Sequence, residues 1–324
     1  MSNKKGLMLI VLVILALVLS ACQPATPAAQ PAALKKKVAV LFPGVVSDQS
    51  WNQFGFEGLK RAEQECGVEI AYSENVFQDE QLETFRHYAA DGYNIIIGHG
   101  GEYPEAAFTV AKEYPNTQFG VANGVAAAEN VSSIKISYAQ MGYLAGALAC
   151  EMTKTKHIAF LGGESIPIVE QAAREYERAA QTCGRGDVEV DVVYTGSWAD
   201  VTKAYEAANG LIATGADVLW HVLDTADAGL VAAAQDAGVY AIGLYRDSSA
   251  LGPKAVIGSA LGSPGALIYL MACEKALTHE ALFLDVNMEE GVNIHFTDLT
   301  PPDVQERVKA VYQKMVSGEI YVEP

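Results

Sequence analysis

Residues 38–59 read VAVLFPGVVSDQSWNQFGFEGL. A short β-branched run gives way to a loop carrying Gly, Ser and Asp, and then to apolar residues at helical spacing. The pattern predicts a strand over 37–42 and a helix over 52–65 joined by a polar loop, the repeating unit of a parallel sheet. The unit recurs along the chain. Strands are expected at 68–72, 94–98, 117–122, 157–161, 188–194, 217–221, 239–243 and 255–260, with helices at 81–90, 140–152, 168–182, 201–214 and 226–237. Such alternation predicts an α/β fold with parallel sheets.

Length sets how many sheets there are. The 324 residues exceed one ordinary core, so the expected arrangement is two Rossmann-like lobes joined by a hinge. The tail holds a further helix at 263–277, a strand at 291–296 and a helix at 301–317, enough to cross back and complete both lobes. The first lobe is therefore expected over 35–137 plus 258–288, and the second over 138–257 plus 289–324.

Acidic residues number 39 against 22 basic ones, a formal net charge of −17. Such a surface is repelled by phosphate backbones, which excludes nucleic acid as a partner. Hydrophobic residues make up 50% of the chain, which excludes disorder. At the N-terminus, Lys4 and Lys5 precede an unbroken apolar run over 7–19. The run is shorter than the roughly 20 residues a spanning helix needs and suits a signal peptide, expected over 1–21. Leu19-Ser20-Ala21-Cys22 resembles the lipobox of bacterial lipoproteins. That implies cleavage before Cys22, a lipid on its sulfur, and anchoring outside the cytoplasmic membrane. The Pro- and Ala-rich segment completing 22–34 reads as a flexible spacer. The widely spaced Cys66, Cys150, Cys183 and Cys273 are expected mainly as buried thiols, with Cys150–Cys183 as the one alternative bridge.

In parallel α/β sheets, ligands bind beyond the carboxyl ends of the strands. Those loops carry Asp48, Trp51 and Asn52, then Gly100, Asn123 and Trp198, then His221, Asp224, Tyr245, Arg246 and Asp247. Two of the three tryptophans fall here, one per lobe. Arg246 reads equally as a partner for a ligand carboxylate and as an ion pair with Asp247. His221 reads as a ligand contact or as a packed residue closing its strand. Gly100 suits either a backbone approach to ligand or a tight turn. No HxH, HxxxH or CxxC spacing is present, so neither a metal nor a cofactor is expected.

The segment 38–59, Tyr143-Leu144-Ala145-Gly146, Gly162-Gly163, Gly196-Ser197-Trp198-Ala199-Asp200, Gly215-Ala216-Asp217 and 237–243 form an ordered series. Together they resemble the basic membrane protein family of substrate-binding lipoproteins. The resemblance implies the type I periplasmic-binding-protein fold, a purine base or nucleoside as ligand, and an ABC permease as membrane partner. It also implies an aromatic sandwich, with Trp51 stacking from one lobe and Trp198 from the other. Base–aromatic stacking contributes roughly 1–3 kcal/mol per face, and Asn52 and Asp48 supply donor and acceptor groups to the ring edge. The protein is expected to act as a monomer.

Two departures from that family narrow the ligand. Nucleoside-binding members carry an Asp just after the strand equivalent to 239–243, where it grips ribose hydroxyls. Here the chain reads Gly243-Leu244-Tyr245, with Asp247 as a substitute two residues on. Their lysine near the last crossover strand has no counterpart in 258–264 (GSALGSP). Losing both ribose contacts predicts a free, adenine-like purine base, with a nucleoside as the alternative. No G-x-S-x-G elbow, phosphate loop or G-x-G-x-x-G fingerprint is present, so no enzymatic activity is expected. The readings from other classes are an extracytoplasmic hydrolase of nucleosides or sugars and a ligand-gated sensor subunit.

Overall fold

A computed structural model describes residues 35–324. The expected signal peptide, the lipidation site Cys22 and the spacer to residue 34 lie outside the described residues. The first strand, β1 (Lys37–Leu41), shows why the fold is layered. Val38 and Val40 pack into one apolar cluster and Ala39 and Leu41 into another, because successive side chains point to opposite faces. A strand buried on both sides needs helices above and below it.

Chain order then runs α1 (Trp51–Cys66), β2 (Glu69–Ser73), α2 (Gln78–Ala90), β3 (Ile95–His99), α3 (Pro104–Glu113), β4 (Gln118–Ala122) and β5 (Val131–Ile136). The second set is α4 (Tyr138–Met152), β6 (His157–Gly162), α5 (Pro167–Thr182), β7 (Glu189–Tyr194), α6 (Val201–Ala213), β8 (Val218–Val222), α7 (Asp227–Ala237), β9 (Tyr240–Tyr245) and β10 (Val256–Leu261). The tail holds α8 (Pro264–Ala272), β11 (Ala281–Leu284), β12 (Asn293–Phe296) and α9 (Pro302–Val316).

Two six-stranded sheets result, ordered β11-β5-β4-β3-β1-β2 and β12-β10-β9-β8-β6-β7. All pairings are parallel except β10 with β12. The strand order is the same in both, so each sheet reverses direction between its first and third strands. The chain crosses between sheets after β5, after β10, and between β11 and β12.

The expected switch of lobes at residue 258 falls inside β10. Gly258 pairs with Phe296 in the second sheet, so the return to the first sheet begins only after Leu261. The β-branched signal stops at Ile257, yet the strand runs on through the small, buried Gly258, Ser259 and Ala260, which fit a strand covered on both faces. Strands β5 and β11 and helix α3 were not among the expected elements. Polar Ser132, Ser133 and Lys135 break the apolar signal of β5, yet both serines are fully buried.

Helix α4 is buried at every residue except Glu151. It packs against α5 so closely that a Cβ on Gly146 would lie 2.2 Å from the Tyr176 carbonyl oxygen. The glycine is there for backbone approach. The same helix pair is joined by Cys150–Cys183, with Cα atoms 6.5 Å apart. In the first lobe Cys66–Cys273 ties the end of α1 to the end of α8, with Cα atoms 5.8 Å apart. The four cysteines are therefore paired and are not thiols. Sequence spacing alone misses the first bridge because its partners lie 207 residues apart and meet only when the tail returns.

Candidate functional site

The reversal of strand order opens a crevice beyond β1 and β3 in one sheet and beyond β6 and β8 in the other, where ligands of doubly wound folds bind. In the first lobe the crevice is built on Asp48. Its carboxylate accepts from the backbone N–H of Ser50 (2.9 Å), Asn52 (3.1 Å) and Gln53 (2.9 Å), and from Asn52 Nδ2 (2.7 Å). An anion at the orphan N–H groups of a helix start is favourable, so Asp48 anchors α1 and positions Trp51, its first residue. The same contact occupies the Asn52 amide nitrogen and leaves Asn52 Oδ1 buried without a partner.

Trp51 is 9% exposed. One face of its ring stacks on His99, with centroids 4.3 Å apart and planes 14° from parallel. Trp51 Nε1 donates to the His99 carbonyl at 3.1 Å, and His99 Nε2 donates to the Trp51 carbonyl at 2.9 Å. Burial lowers the His99 pKa to about 4, so the ring is neutral. With its proton on Nε2, His99 presents a lone pair on Nδ1, which has no partner. Over Gly100, a built Cβ would lie 2.2 Å from a Glu102 carboxylate oxygen. Gly100 thus makes room for Glu102, whose pKa desolvation raises.

In the second lobe, the partly buried Trp198 lies against Gly163, where a Cβ would come within 2.3 Å of the indole. The Trp198 carbonyl accepts from the backbone of Asp224 at 3.1 Å and Ala226 at 3.2 Å, holding the loop after β8. Burial pushes the Asp224 pKa to about 7, and the charge of Asp48 adds to the shift. Asp227, at the start of α7, is raised by burial to about 6. With Asp48 and Glu102 these groups give the cleft a surplus of carboxyl oxygens.

Several contacts draw the lobes together. Ser50 Oγ meets Asp224 Oδ1 at 3.4 Å. Asn123 Nδ2 of the first lobe donates to the Tyr138 hydroxyl at 3.4 Å, and within the second lobe that hydroxyl lies 2.6 Å from the one on Tyr245. Tyr245 has φ of 67°, a left-handed conformation that costs a non-glycine residue energy. Its ring is 6.2 Å from both Trp51 and Phe54. Arg246 lies over the Phe54 ring at 4.3 Å and donates to the Gln49 carbonyl at 3.3 Å.

Of the residues expected at the site, the structure gathers Asp48, Trp51, Asn52, Gly100, Asp224 and Tyr245, with Trp198 behind Asp224 and Arg246 at the rim. Asn123 supports Tyr138. Among the described residues no aromatic contact joins Trp51 to Trp198, and Tyr245 is the second-lobe ring set against Trp51. Asp247 accepts from the Ser249 backbone at 2.9 Å and faces His295 at 3.5 Å, so it pairs with neither Arg246 nor the crevice. His221 is fully buried, both ring nitrogens lack partners, and burial lowers its pKa to about 3. Strand alternation puts it on the face of Leu219, toward the cluster under α6 and α7.

Sequence reasoning missed His99 as the support for Trp51, and missed Ser50, Tyr138 and Phe54. Two cavities of about 470 and 250 Å³ both border Tyr245 and Gly262 on the crossover side. Neither is lined by Asp48, Trp51, Trp198 or Asp224.

A family model described as "ABC transporter substrate-binding protein PnrA-like" matches residues 35–323. The transcriptional activator protein Med of Bacillus subtilis is 31% identical over 228 residues, covering 69% of this chain and 70% of that protein. A purine-binding protein of Brucella abortus is 26% identical over 294 residues, covering 88% and 82%. The crystal structure of an ABC transporter solute-binding protein from Aeropyrum pernix superposes with a TM-score of 0.78 at 20% identity, covering 89% of this chain and 94% of that one. This last likeness carries the fold alone. Among the described residues no helix is long and apolar enough to cross a membrane.

Proposed function

Because the chain belongs to the PnrA-like family of ABC transporter substrate-binding proteins, we propose that its cleft captures a free, adenine-like purine base outside the cytoplasmic membrane. The lobes close on the base and the closed form is handed to an ABC permease, with the lipid on Cys22 keeping the protein at the membrane. The cleft binds without turnover.

One observation carries the choice of ligand. Two buried polar atoms beside Trp51 are acceptors without a partner, Asn52 Oδ1 and His99 Nδ1, and the Asp224 carboxyl has only a long contact from the Ser50 hydroxyl at 3.4 Å. Buried acceptors without donors each cost about 1–3 kcal/mol. A planar ring bearing N–H groups supplies the donors and stacks on the aromatic wall. An oxo-rich ring brings further acceptors and is disfavoured. The nearest carboxylate able to replace a ribose contact, Asp247, faces His295 and Ser249, which favours the base over its nucleoside. The name of the Brucella abortus relative agrees in ligand class.

Closure converts these contacts into affinity by taking the ring out of water, and the population shifts toward the form the permease reads. A submicromolar Kd, about −8 kcal/mol or stronger, is expected. The test is calorimetric titration of refolded, ligand-stripped protein with adenine, guanine, hypoxanthine, xanthine, their nucleosides and several sugars. Tight binding of adenine with much weaker adenosine binding is the expected result. Preferred binding of nucleosides, or silence across the purines, overturns the proposal.

A further inference from the structure

We propose that His157, Glu189 and Asp191 form a binding site for a divalent transition cation of the Zn²⁺ class, at the opposite end of the second sheet from the cleft. His157 opens β6 and Glu189 opens β7, and the two strands pair in parallel with His157 opposite Glu189 and Ala159 opposite Asp191. Glu189 and Asp191 are two residues apart on one strand and share a face. One ligand atom from each of the three residues lies within 4.8 Å of the others, and His157 Nε2 is 2.9 Å from Asp191 Oδ2.

The surroundings are those of a supported site. The Thr214 hydroxyl lies between the Leu211 carbonyl at 2.7 Å and Asp191 Oδ2 at 3.1 Å and shares its one proton between them, an outer contact of the kind that orients a ligating carboxylate. Gly215, with φ of 114°, lets the chain pass the other side of the imidazole, where a Cβ would sit 3.3 Å from His157 Nδ1. Among the described residues neither Glu189 nor Asp191 pairs with a lysine or arginine, and the basic side chain beside Asp191 is His157. One nitrogen and two carboxylates suit Zn²⁺, Co²⁺, Ni²⁺ or Cu²⁺, whereas Mg²⁺ and Ca²⁺ prefer oxygen alone. Three protein ligands leave a fourth position to water. The bound cation bridges edge strand β7 to β6 and offsets two carboxylate charges in a strongly acidic protein. A search for closely spaced histidines passes over this site, because its ligands come together through strand register.

The test is calorimetric titration of EDTA-treated full-length protein with ZnCl₂ at pH 7.5. One saturable site is expected, with no heat from MgCl₂. Glu189→Gln and Asp191→Asn should each weaken Zn²⁺ by roughly tenfold or more, and His157→Gln should abolish the site. Should the buried His157 variant fail to fold, the Glu189→Gln/Asp191→Asn double variant is decisive. Absence of saturable Zn²⁺ binding in the wild-type protein, or unchanged binding in the double variant, overturns the proposal.

Discussion

Replacing Asp224 by Asn isolates the carboxyl whose charge the closed cleft resists most. Burial, the charge of Asp48 and smaller effects of Asp227 and Glu102 raise its pKa from 3.8 to about 7, against the lowering effect of the Ser50 hydroxyl. An acid with a raised pKa holds its proton in the closed form through a window where the unfolded chain has lost it. The unliganded closed form therefore loses stability as pH rises from about 4 to about 7. A base that donates an N–H to this group binds its ionised form and lowers the pKa again, so affinity falls as pH drops below about 7. If the pKa in the complex lies below 5, the ionised fraction of the unliganded protein governs binding. That fraction goes from about nine-tenths at pH 8 to about one-hundredth at pH 5, a loss of roughly 90-fold or about 2.7 kcal/mol. Calorimetry at pH 5, 6, 7 and 8, in buffers of differing ionisation enthalpy, reads both the affinity and the proton released. Asp224→Asn should bind more weakly at pH 8 and lose the pH dependence. An equal pH slope in the variant, or wild-type affinity that rises toward pH 5, refutes the reasoning.

Tyr138→Phe removes the hydroxyl 2.6 Å from that of Tyr245. The same hydroxyl accepts from Asn123 of the first lobe at 3.4 Å, and losing these bonds should cost about 0.5–1.5 kcal/mol, read as a roughly two- to twelvefold weaker Kd. Gly146→Ala puts a methyl 2.2 Å from the Tyr176 carbonyl oxygen. Overpacking of this kind costs about 1–3 kcal/mol, and differential scanning calorimetry should show a lower Tm. Cys66→Ser with Cys273→Ser opens a loop spanning 207 residues, for which chain entropy allows up to about 5 kcal/mol. Urea unfolding should show that loss as a lower midpoint.

The strand–loop–helix reading of 38–59 carried the fold because β1 and α1 obey local rules: alternation, helical spacing and a polar loop between them. β5 did not obey them. Its buried Ser132 and Ser133 are held in place by tertiary packing, which leaves no apolar pattern in the sequence. Trp51 was legible as a candidate because a large aromatic follows polar loop residues. Its support was not, since His99 reaches it only after β3 has paired with β1. Asp224 was named from its place after a strand, yet its pKa depends on Asp48 and on Ser50, 174 residues away. Asp247 and Arg246 are neighbours in sequence, but one faces His295 and the other lies over Phe54. The strand ends at the left-handed Tyr245 and the chain bends at Arg246, which sends the two side chains apart.

The bridge between Cys66 and Cys273 has a consequence for how the molecule is damaged. The chain from Gly67 to Ala272 contains every residue of β6 through β10, so most of one sheet and its helices form a ring closed by a single covalent link. One cut by a protease anywhere in that ring leaves no detachable fragment. The nicked protein migrates as one species without reductant and as two with it. A second cut in the ring is needed before a piece held only by packing can leave. Exposed loops of the second lobe are thus insured against a first cleavage, and the crossovers after β5 and β10 lie within the same protected circuit.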